Sequence, residues 1–192
     1  LEAVKGRPIH RFVYASSSSV YGDVAAIPMR EDAYLQPLSP YGVTKLAAEH
    51  LCHLYYANYG VPTVSLRFFT VYGPRQRPDM AFHRFIRAAY GGQPITLYGD
   101  GGQTRDFTYV SDIVAANLAA SDRGRPGAVY NIGGGSRVSV NHVLELVARL
   151  TGRTLDIRRE ETQKGDMRDT FADTSRAKAD LGFQPAFSLE AG

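Results

Sequence analysis

Two short apolar runs, Arg11-Phe12-Val13-Tyr14-Ala15-Ser16 and Thr63-Val64-Ser65-Leu66-Arg67-Phe68-Phe69, bracket a stretch of helical spacing from Tyr41 to Asn58. Within that stretch the apolar residues Leu46, Ala47, Leu51, Leu54 and Tyr55 recur on one helical face, and Gly60-Val61-Pro62 ends it. A helix between two buried strands is the crossover unit that joins parallel strands, so the first seventy residues are predicted to form half of a doubly wound sheet. A loop rich in Pro and Asp, through Pro28, Pro37 and Pro40, separates the first strand from the helix.

The rest of the chain alternates shorter elements. Helices are predicted near Ala81–Tyr90, Ser111–Ala120 (capped by Ser111, with Asp112 in its first turn), Val140–Leu150 (closed by Gly152) and Ser175–Leu181. Strands are predicted at Ile95–Tyr98, Phe107–Val110, Ala128–Ile132 and Leu155–Arg159. The fold class is therefore α/β: the C-terminal part of a Rossmann-type doubly wound parallel sheet plus a small α/β substrate-binding lobe. Residues 1–73 are assigned to the sheet domain, and residues 74–192 mostly to the lobe, with some strands and helices returning to the sheet. Leu1-Glu2-Ala3-Val4 reads as the tail of a helix and Phe187-Ser188-Leu189-Glu190-Ala191-Gly192 as the start of another, so the chain is expected to be a piece of a longer protein.

Composition narrows the function. The 192 residues carry a net charge of only +3, and the basic residues are scattered rather than gathered, so nucleic acid is not an expected partner. A few convergent arginines can still hold a diphosphate. No apolar run approaches the ~18 residues of a membrane span, and no signal peptide opens the chain, so no membrane is expected. A single cysteine, Cys52, excludes a disulfide within the chain and reads as a buried structural thiol, which suits a cytoplasmic protein. The five histidines show no metal-binding spacing with carboxylates, and no metal is expected.

Chemistry enters with Tyr41 and Lys45, one helical turn apart and so on one face. A tyrosine is a poor base at its usual pKa of about 10, but a neighbouring ammonium favours the phenolate. By itself Tyr-x-x-x-Lys is a weak signal. Its weight comes from the upstream strand, which runs into Ser16-Ser17-Ser18-Ser19-Val20-Tyr21-Gly22. Hydroxyls at the carboxyl end of a parallel strand stand where open α/β sheets place their sites. A second glycine-rich signal, Ile132-Gly133-Gly134-Gly135-Ser136, follows a strand and invites a dinucleotide-binding reading. Val138 stands where its third glycine belongs, so an ordinary strand-to-helix turn is the better expectation.

Three runs in order, Ser16-Ser17-Ser18-Ser19-Val20-Tyr21-Gly22, Ser39-Pro40-Tyr41-Gly42-Val43-Thr44-Lys45 and Arg67-Phe68-Phe69-Thr70-Val71-Tyr72-Gly73-Pro74-Arg75, resemble the extended short-chain dehydrogenase/reductases of the NAD-dependent epimerase/dehydratase family. Leu97-Tyr98-Gly99-Asp100-Gly101 through Arg105-Asp106-Phe107, and Lys164-Gly165-Asp166 through Ala172-Asp173, are similar to its later motifs, so the likeness covers essentially the whole chain. The resemblance implies that Ser17, Tyr41 and Lys45 are catalytic and that Tyr41, Lys45 and Phe68 meet the cofactor NAD. It implies a UDP-sugar substrate touched by Ser17, Ser18, Ser19, Thr70, Tyr98, Arg105 and Asp166, with Arg77 and Arg168 as further anion partners. Gln163 stands where galactose-type epimerases place an arginine.

Ser18 and Ser19 occupy positions that are Asp and Glu in dTDP-glucose 4,6-dehydratases, which argues against a dehydratase. Thr70 and the run Arg75-Gln76-Arg77-Pro78-Asp79-Met80-Ala81 look most like UDP-glucuronate 4-epimerases. The implied reaction is conversion of UDP-glucuronate to UDP-galacturonate through a 4-keto sugar. A UDP-glucose or UDP-N-acetylhexosamine 4-epimerase, and a non-catalytic nucleotide-sugar-binding relative, are the alternatives. Because the glycine-rich NAD-binding half of the sheet is not in these residues, they are expected to be inactive in isolation. The family likeness also implies a homodimer formed through the Tyr41–Asn58 helix.

Overall fold

A computed structural model describes residues 1–23, 26–161 and 167–192. Its centre is a three-stranded parallel sheet of order β1-β2-β7, with β1 at Phe12–Ser17, β2 at Thr63–Phe68 and β7 at Val129–Ile132. The register aligns Ser17 with Phe68 and Phe68 with Ile132, so all three strands end at one level. Helix α1 (Pro40–Tyr59) makes the crossover from β1 to β2, as the sequence predicts. Ser39 caps it by accepting the Gly42 N–H at 3.1 Å, Pro40 fills its first turn, and Gly60 closes it with φ 66°.

Strand β2 is buried on both faces, and the two faces differ. Val64 and Leu66 pack with Ile113, Ala116 and Ala120 of α3 (Val110–Arg123), and with Ala177 and Leu181 of α5 (Ser175–Leu181). Thr63 and Arg67 point to α1, where Thr63 Oγ1 donates to the Cys52 carbonyl at 2.9 Å and Arg67 meets Glu49. The polar face of β2 is tolerated because α1 supplies its partners; a buried polar group left unmet costs about 1–3 kcal/mol. Cys52 is buried, and burial pushes its thiol up from the ordinary value.

A second layer of smaller elements holds its own core. Helices α2 (Ala81–Gly91) and α4 (Val140–Thr151) pack Phe85, Ala88, Val143, Leu144 and Val147 against Ile95 and Leu97 of β4 (Ile95–Tyr98). Strand β4 pairs in parallel with β9 (Ile157–Glu160). Of the strand predicted at Phe107–Val110, Thr108–Tyr109 forms β6, parallel to β3 (Val71–Tyr72), while Val110 already belongs to α3; an unpredicted strand before it, β5 (Thr104–Asp106), pairs antiparallel with β8 (Arg137–Ser139). Strand β8 had no signal beyond three residues of mixed polarity. Residues of 74–192 also reach the central sheet, through β7, α3 and α5.

One expectation is corrected. Ser111 does not cap α3: the helix begins at Val110, and the Ser111 hydroxyl is buried inside its first turn. Asp112 instead accepts the N–H groups of Ala186 and Phe187, at 3.1 and 3.3 Å, and pins the C-terminal segment. That segment ends in a turn, Gly192 N–H to Ser188 O, and Glu2–Val4 is a single 3-10 turn.

The Gly133–Gly135 turn has an occupant within the chain. Its anion is the buried Asp106 carboxylate, which accepts the Gly134 N–H at 2.7 Å and the Ala172 N–H at 3.1 Å. A Cβ on Gly134 would overlap the Phe107 carbonyl, so glycine is required by close approach rather than by a pyrophosphate. Burial pushes Asp106 up to about 6, with the Ala172 and Gly134 N–H groups pulling the other way. A folded-state pKa above the ordinary value means the contribution is present in acid and lost as pH rises through about 6. The loss approaches about 3 kcal/mol by neutral pH. Wild type is therefore expected to lose stability relative to Asp106→Asn between pH 4 and pH 7; a melting-temperature difference that stays constant across that range would exclude it.

Candidate active site

At the carboxyl ends of β1 and β2 opens a cleft of about 790 Å³. Ser16, Ser17, Ser18 and Ser19 form one wall, with Phe68 and Thr70 from the end of β2, and Tyr41 stands at the start of α1. Arg75, Arg77, Arg105, Met80, Met167 and Thr170 close the other side. Among the described residues, no carboxylate lines this cleft. The crevice beyond the strand ends is where ligands bind in open α/β sheets.

The hydroxyl row follows from chain geometry. Strand β1 stops at Ser17, and the chain turns through a 3-10 turn at Ser18–Val20. Ser17 caps that turn, its Oγ accepting from the Ser19 N–H at 3.2 Å and donating to Ser19 Oγ at 3.1 Å. Opposite it, the first turn of α1 comes unusually near. A Cβ on Gly42 would lie 2.5 Å from the Ser19 carbonyl oxygen and 2.8 Å from Pro37 Cβ. Only glycine permits this approach, and it carries Tyr41 to the edge of the serine turn.

Lys45 sits half-buried behind Tyr41. Its Nζ donates to the Ala15 carbonyl at 2.8 Å and lies 5.6 Å from the Tyr41 ring centre and 5.4 Å from that of Tyr14. Tyr41 is 54% exposed, whereas Tyr72, the other tyrosine of the wall, donates its hydroxyl to the carbonyls of Ser188 and Leu189.

The arginines differ in their readiness for an anion. Arg105 Nη1 donates to the carbonyls of Thr104 and Arg168, at 2.9 and 3.0 Å, which ties its guanidinium to the cleft edge. Arg77 is paired in two-pronged fashion with Asp79, Nε to Oδ1 at 3.1 Å and Nη2 to Oδ2 at 2.8 Å. Both partners are well exposed, so the pair contributes little, about 0–1 kcal/mol, and an incoming anion can compete with it. Arg75 is the one non-glycine residue of positive φ, at 63°, among the described residues. It follows Pro74 in a turn held by the Gln76 side chain, whose Nε2 donates to the Val71 carbonyl at 3.0 Å.

Of the residues implied by resemblance, Ser17, Ser18, Ser19, Tyr41, Phe68, Thr70, Arg77 and Arg105 meet in the cleft, with Lys45 behind it. Tyr98, at the end of β4, and Arg168 stand outside its wall, although the Arg168 carbonyl holds Arg105. Asp166 and Gln163 lie outside the described residues.

Beneath the cleft runs a buried polar network that sequence reasoning missed. Glu49 of α1 accepts Arg67 Nε at 3.0 Å and Nη2 at 2.8 Å, and it accepts the Ser16 hydroxyl. Arg67 Nη1 donates to Tyr21 Oη at 2.9 Å, and Tyr21 donates to Asn131 Oδ1 at 2.7 Å. Burial opposes the charge on Arg67, yet Glu49 and Tyr21 together more than offset it and the guanidinium pKa is raised. Burial likewise raises the Tyr21 phenol, against the pull of Arg67. Removing one partner of such a pair alone costs about 3–5 kcal/mol. The available signals were a charged residue inside an apolar strand and an acid four residues beyond Lys45.

A family model described as "NAD dependent epimerase/dehydratase family" matches residues 1–133. The chain belongs to that family. Among its relatives within it is a protein named "Uncharacterized UDP-glucose epimerase YtcB" from Bacillus subtilis, 49% identical, covering 100% of this chain and 61% of that protein. A UDP-glucuronate 4-epimerase from Thermodesulfobacterium geofontis is 40% identical, covering 100% of this chain and 59% of its own length. The crystal structure of a UDP-glucuronic acid 4-epimerase from Bacillus cereus, in complex with UDP-glucuronic acid and NAD, superposes with a TM-score of 0.96. It is 44% identical and matches 100% of this chain and 61% of that one. The chain thus spans about three fifths of the length of the curated relatives it matches. Its sheet, with the cleft at the strand ends, is that of a Rossmann-type epimerase.

Proposed function

We propose that the full-length protein is an NAD-dependent UDP-sugar 4-epimerase acting on UDP-glucuronate, which it converts to UDP-galacturonate. The observation that carries this reading is one cleft whose described wall joins Tyr41, a row of serine hydroxyls, Thr70 and three arginines, with no acidic side chain. Such a wall suits a ligand with more than one negative group. Ser18 and Ser19 lack the acid–base capacity that elimination of water requires, which weighs against a dehydratase.

The residues present fit the nicotinamide end of NAD. Lys45 is an ammonium with three donors, anchored by the Ala15 carbonyl beside an exposed tyrosine, and Phe68 offers an apolar surface at the strand end. When bound, NAD supplies a hydride acceptor at the sugar C4 and gives the hydride back. Tyr41 removes the C4 hydroxyl proton and returns it to the same oxygen after the 4-keto ring has turned over, with the Lys45 ammonium held beside it. Ser17 turns its hydroxyl from Ser19 to the same oxygen. Ser18, Ser19 and Thr70 orient the hexuronate carboxylate without neutralising it, so that the β-keto acid formed by oxidation keeps its carboxylate out of the geometry that loses carbon dioxide. Arg105 holds the diphosphate, and Tyr98, Asp166 and Arg168 belong to the nucleotide side. Residues 1–73 then act as the cofactor half and 74–192 mostly as the nucleotide-sugar lobe. The same proposal includes a cytoplasmic location, supported by the single buried thiol, and a homodimer through α1, supported by exposed Val43, Leu51 and Leu54. Among the described residues no helix is long and apolar enough to cross a membrane.

Steady-state assay of the full-length protein tests the substrate. UDP-glucuronate is expected to exceed UDP-glucose in kcat/KM by about tenfold or more, since hydrogen bonds to a charged group contribute about 1.5–3 kcal/mol. The Arg77–Asp79 pair favours a second reading, a UDP-glucose or UDP-N-acetylhexosamine 4-epimerase, because it leaves a neutral C6 group facing hydroxyls alone. Preference for a neutral sugar would establish that one.

A further inference from the structure

Tyr41, Lys45 and Glu49 follow one another at four-residue steps, so they share the face of α1 that looks on β1. Lys45 is tied to the carbonyl of Ala15, Glu49 to the hydroxyl of Ser16, and the next residue is Ser17. Glu49 is buried, with a side chain 5% exposed, and it is the point where three elements meet. Its carboxylate joins α1 to β1 through Ser16 and to β2 through Arg67. Through Arg67 it reaches Tyr21, the residue that follows the serine turn, and through Tyr21 it reaches Asn131 of β7. Arg67 Nη1 also donates to the Glu31 carbonyl at 3.2 Å, and the Glu31 carboxylate accepts the Asn131 N–H at 2.9 Å, closing the network on itself.

We propose that Glu49 is the positioning residue that sets the separation between Tyr41 and the Ser17 hydroxyl. Eight residues of helix separate Glu49 from Tyr41, a lever of about 12 Å. If Glu49 is the pivot, a tilt of about 5° displaces Tyr41 by about 1 Å, a misplacement that can cost about 10²-fold in rate. An apolar pair would fill the same volume and could match the stability. It would supply no directional bonds to Ser16 and Arg67, and so it would not fix the tilt of α1. Neither Glu49 nor Arg67 lines the cleft, so their effect on the reaction passes through the groups they hold.

The turnover part of the test rests on the 4-epimerase reading; the exchange part does not. In the full-length protein, Glu49→Gln is expected to lower kcat by about 10–100-fold with KM for the UDP-sugar within about twofold. The double variant Glu49→Leu/Arg67→Met is expected to regain the wild-type melting temperature without regaining kcat, and it serves alone if Glu49→Gln does not fold. Hydrogen exchange read by mass spectrometry is expected to be at least about tenfold faster across residues 42–48 in the variant that folds, with α2 and α4 unchanged. Wild-type kcat in Glu49→Gln, or recovery of kcat together with stability in the double variant, would overturn the proposal. If the wild-type protein turns over no UDP-sugar, the epimerase reading fails by itself. The exchange result then decides, and unchanged protection of 42–48 removes Glu49 from this role.

Discussion

Full-length protein carrying Tyr41→Phe is expected to lose turnover of its UDP-sugar by about 10²–10⁴-fold, the range that a positioned general acid–base group contributes. Binding of the UDP-sugar, measured by calorimetry, should change little, because the ring remains and only the hydroxyl is removed. Two tyrosines line the cleft, and their surroundings assign the role. Tyr72 is buried and gives its hydroxyl to two backbone carbonyls near the C-terminus. Tyr41 is exposed to the cleft, with the Lys45 ammonium 5.6 Å from its ring centre. Wild-type turnover by the phenylalanine variant would move the chemistry away from Tyr41, whereas no turnover by the wild-type protein would favour a binding protein that keeps the fold without the reaction.

Gly42→Ala is expected to reduce kcat by about 10²-fold, through geometry alone. The added methyl would meet the backbone oxygen of Ser19 at 2.5 Å and Pro37 Cβ at 2.8 Å, and neither is the movable end of a side chain. Relief requires the first turn of α1 to withdraw from the serine turn, and Tyr41 withdraws with it. Alanine is the better helix former by about 1 kcal/mol, so α1 itself should not melt. The measurement is kcat beside the circular dichroism spectrum. Unchanged kcat in a folded variant would mean that the approach of α1 to Ser19 is not needed for the reaction.

Much of the site was legible because its parts are local in sequence. Tyr41 and Lys45 share a helix turn, and the serine row occupies consecutive positions where a strand ends. Periodicity alone placed β1, α1 and β2, since strand and helix repeats differ and glycine and proline mark their ends. The signals that failed were those that depend on contacts far along the chain. Ser111 has a cap residue's chemistry, but Asp112 beside it is claimed by Ala186 and Phe187, and the helix begins one residue earlier than the cap reading requires. The glycine turn at 133–135, expected as an ordinary strand-to-helix turn, leads first into β8 and encloses a side-chain carboxylate from β5. Tyr98 and Arg168, implied by motif likeness, lie outside the cleft wall, while Arg75 lines it.

By itself the sequence determined the strand–helix–strand frame, the placement of Tyr41 and Lys45 on one helix face and the row of hydroxyls, because backbone periodicity and neighbouring side chains set these over a few residues. Only the tertiary structure decided which cations and hydroxyls share one cleft, what the glycines accommodate, and that Glu49, Arg67, Tyr21 and Asn131 form one buried network. Those four residues come from three elements and a loop up to 110 positions apart. Each alone is an ordinary polar residue. Removed from water together, each must find its partners within the protein, and that requirement selects a single arrangement which no local pattern encodes.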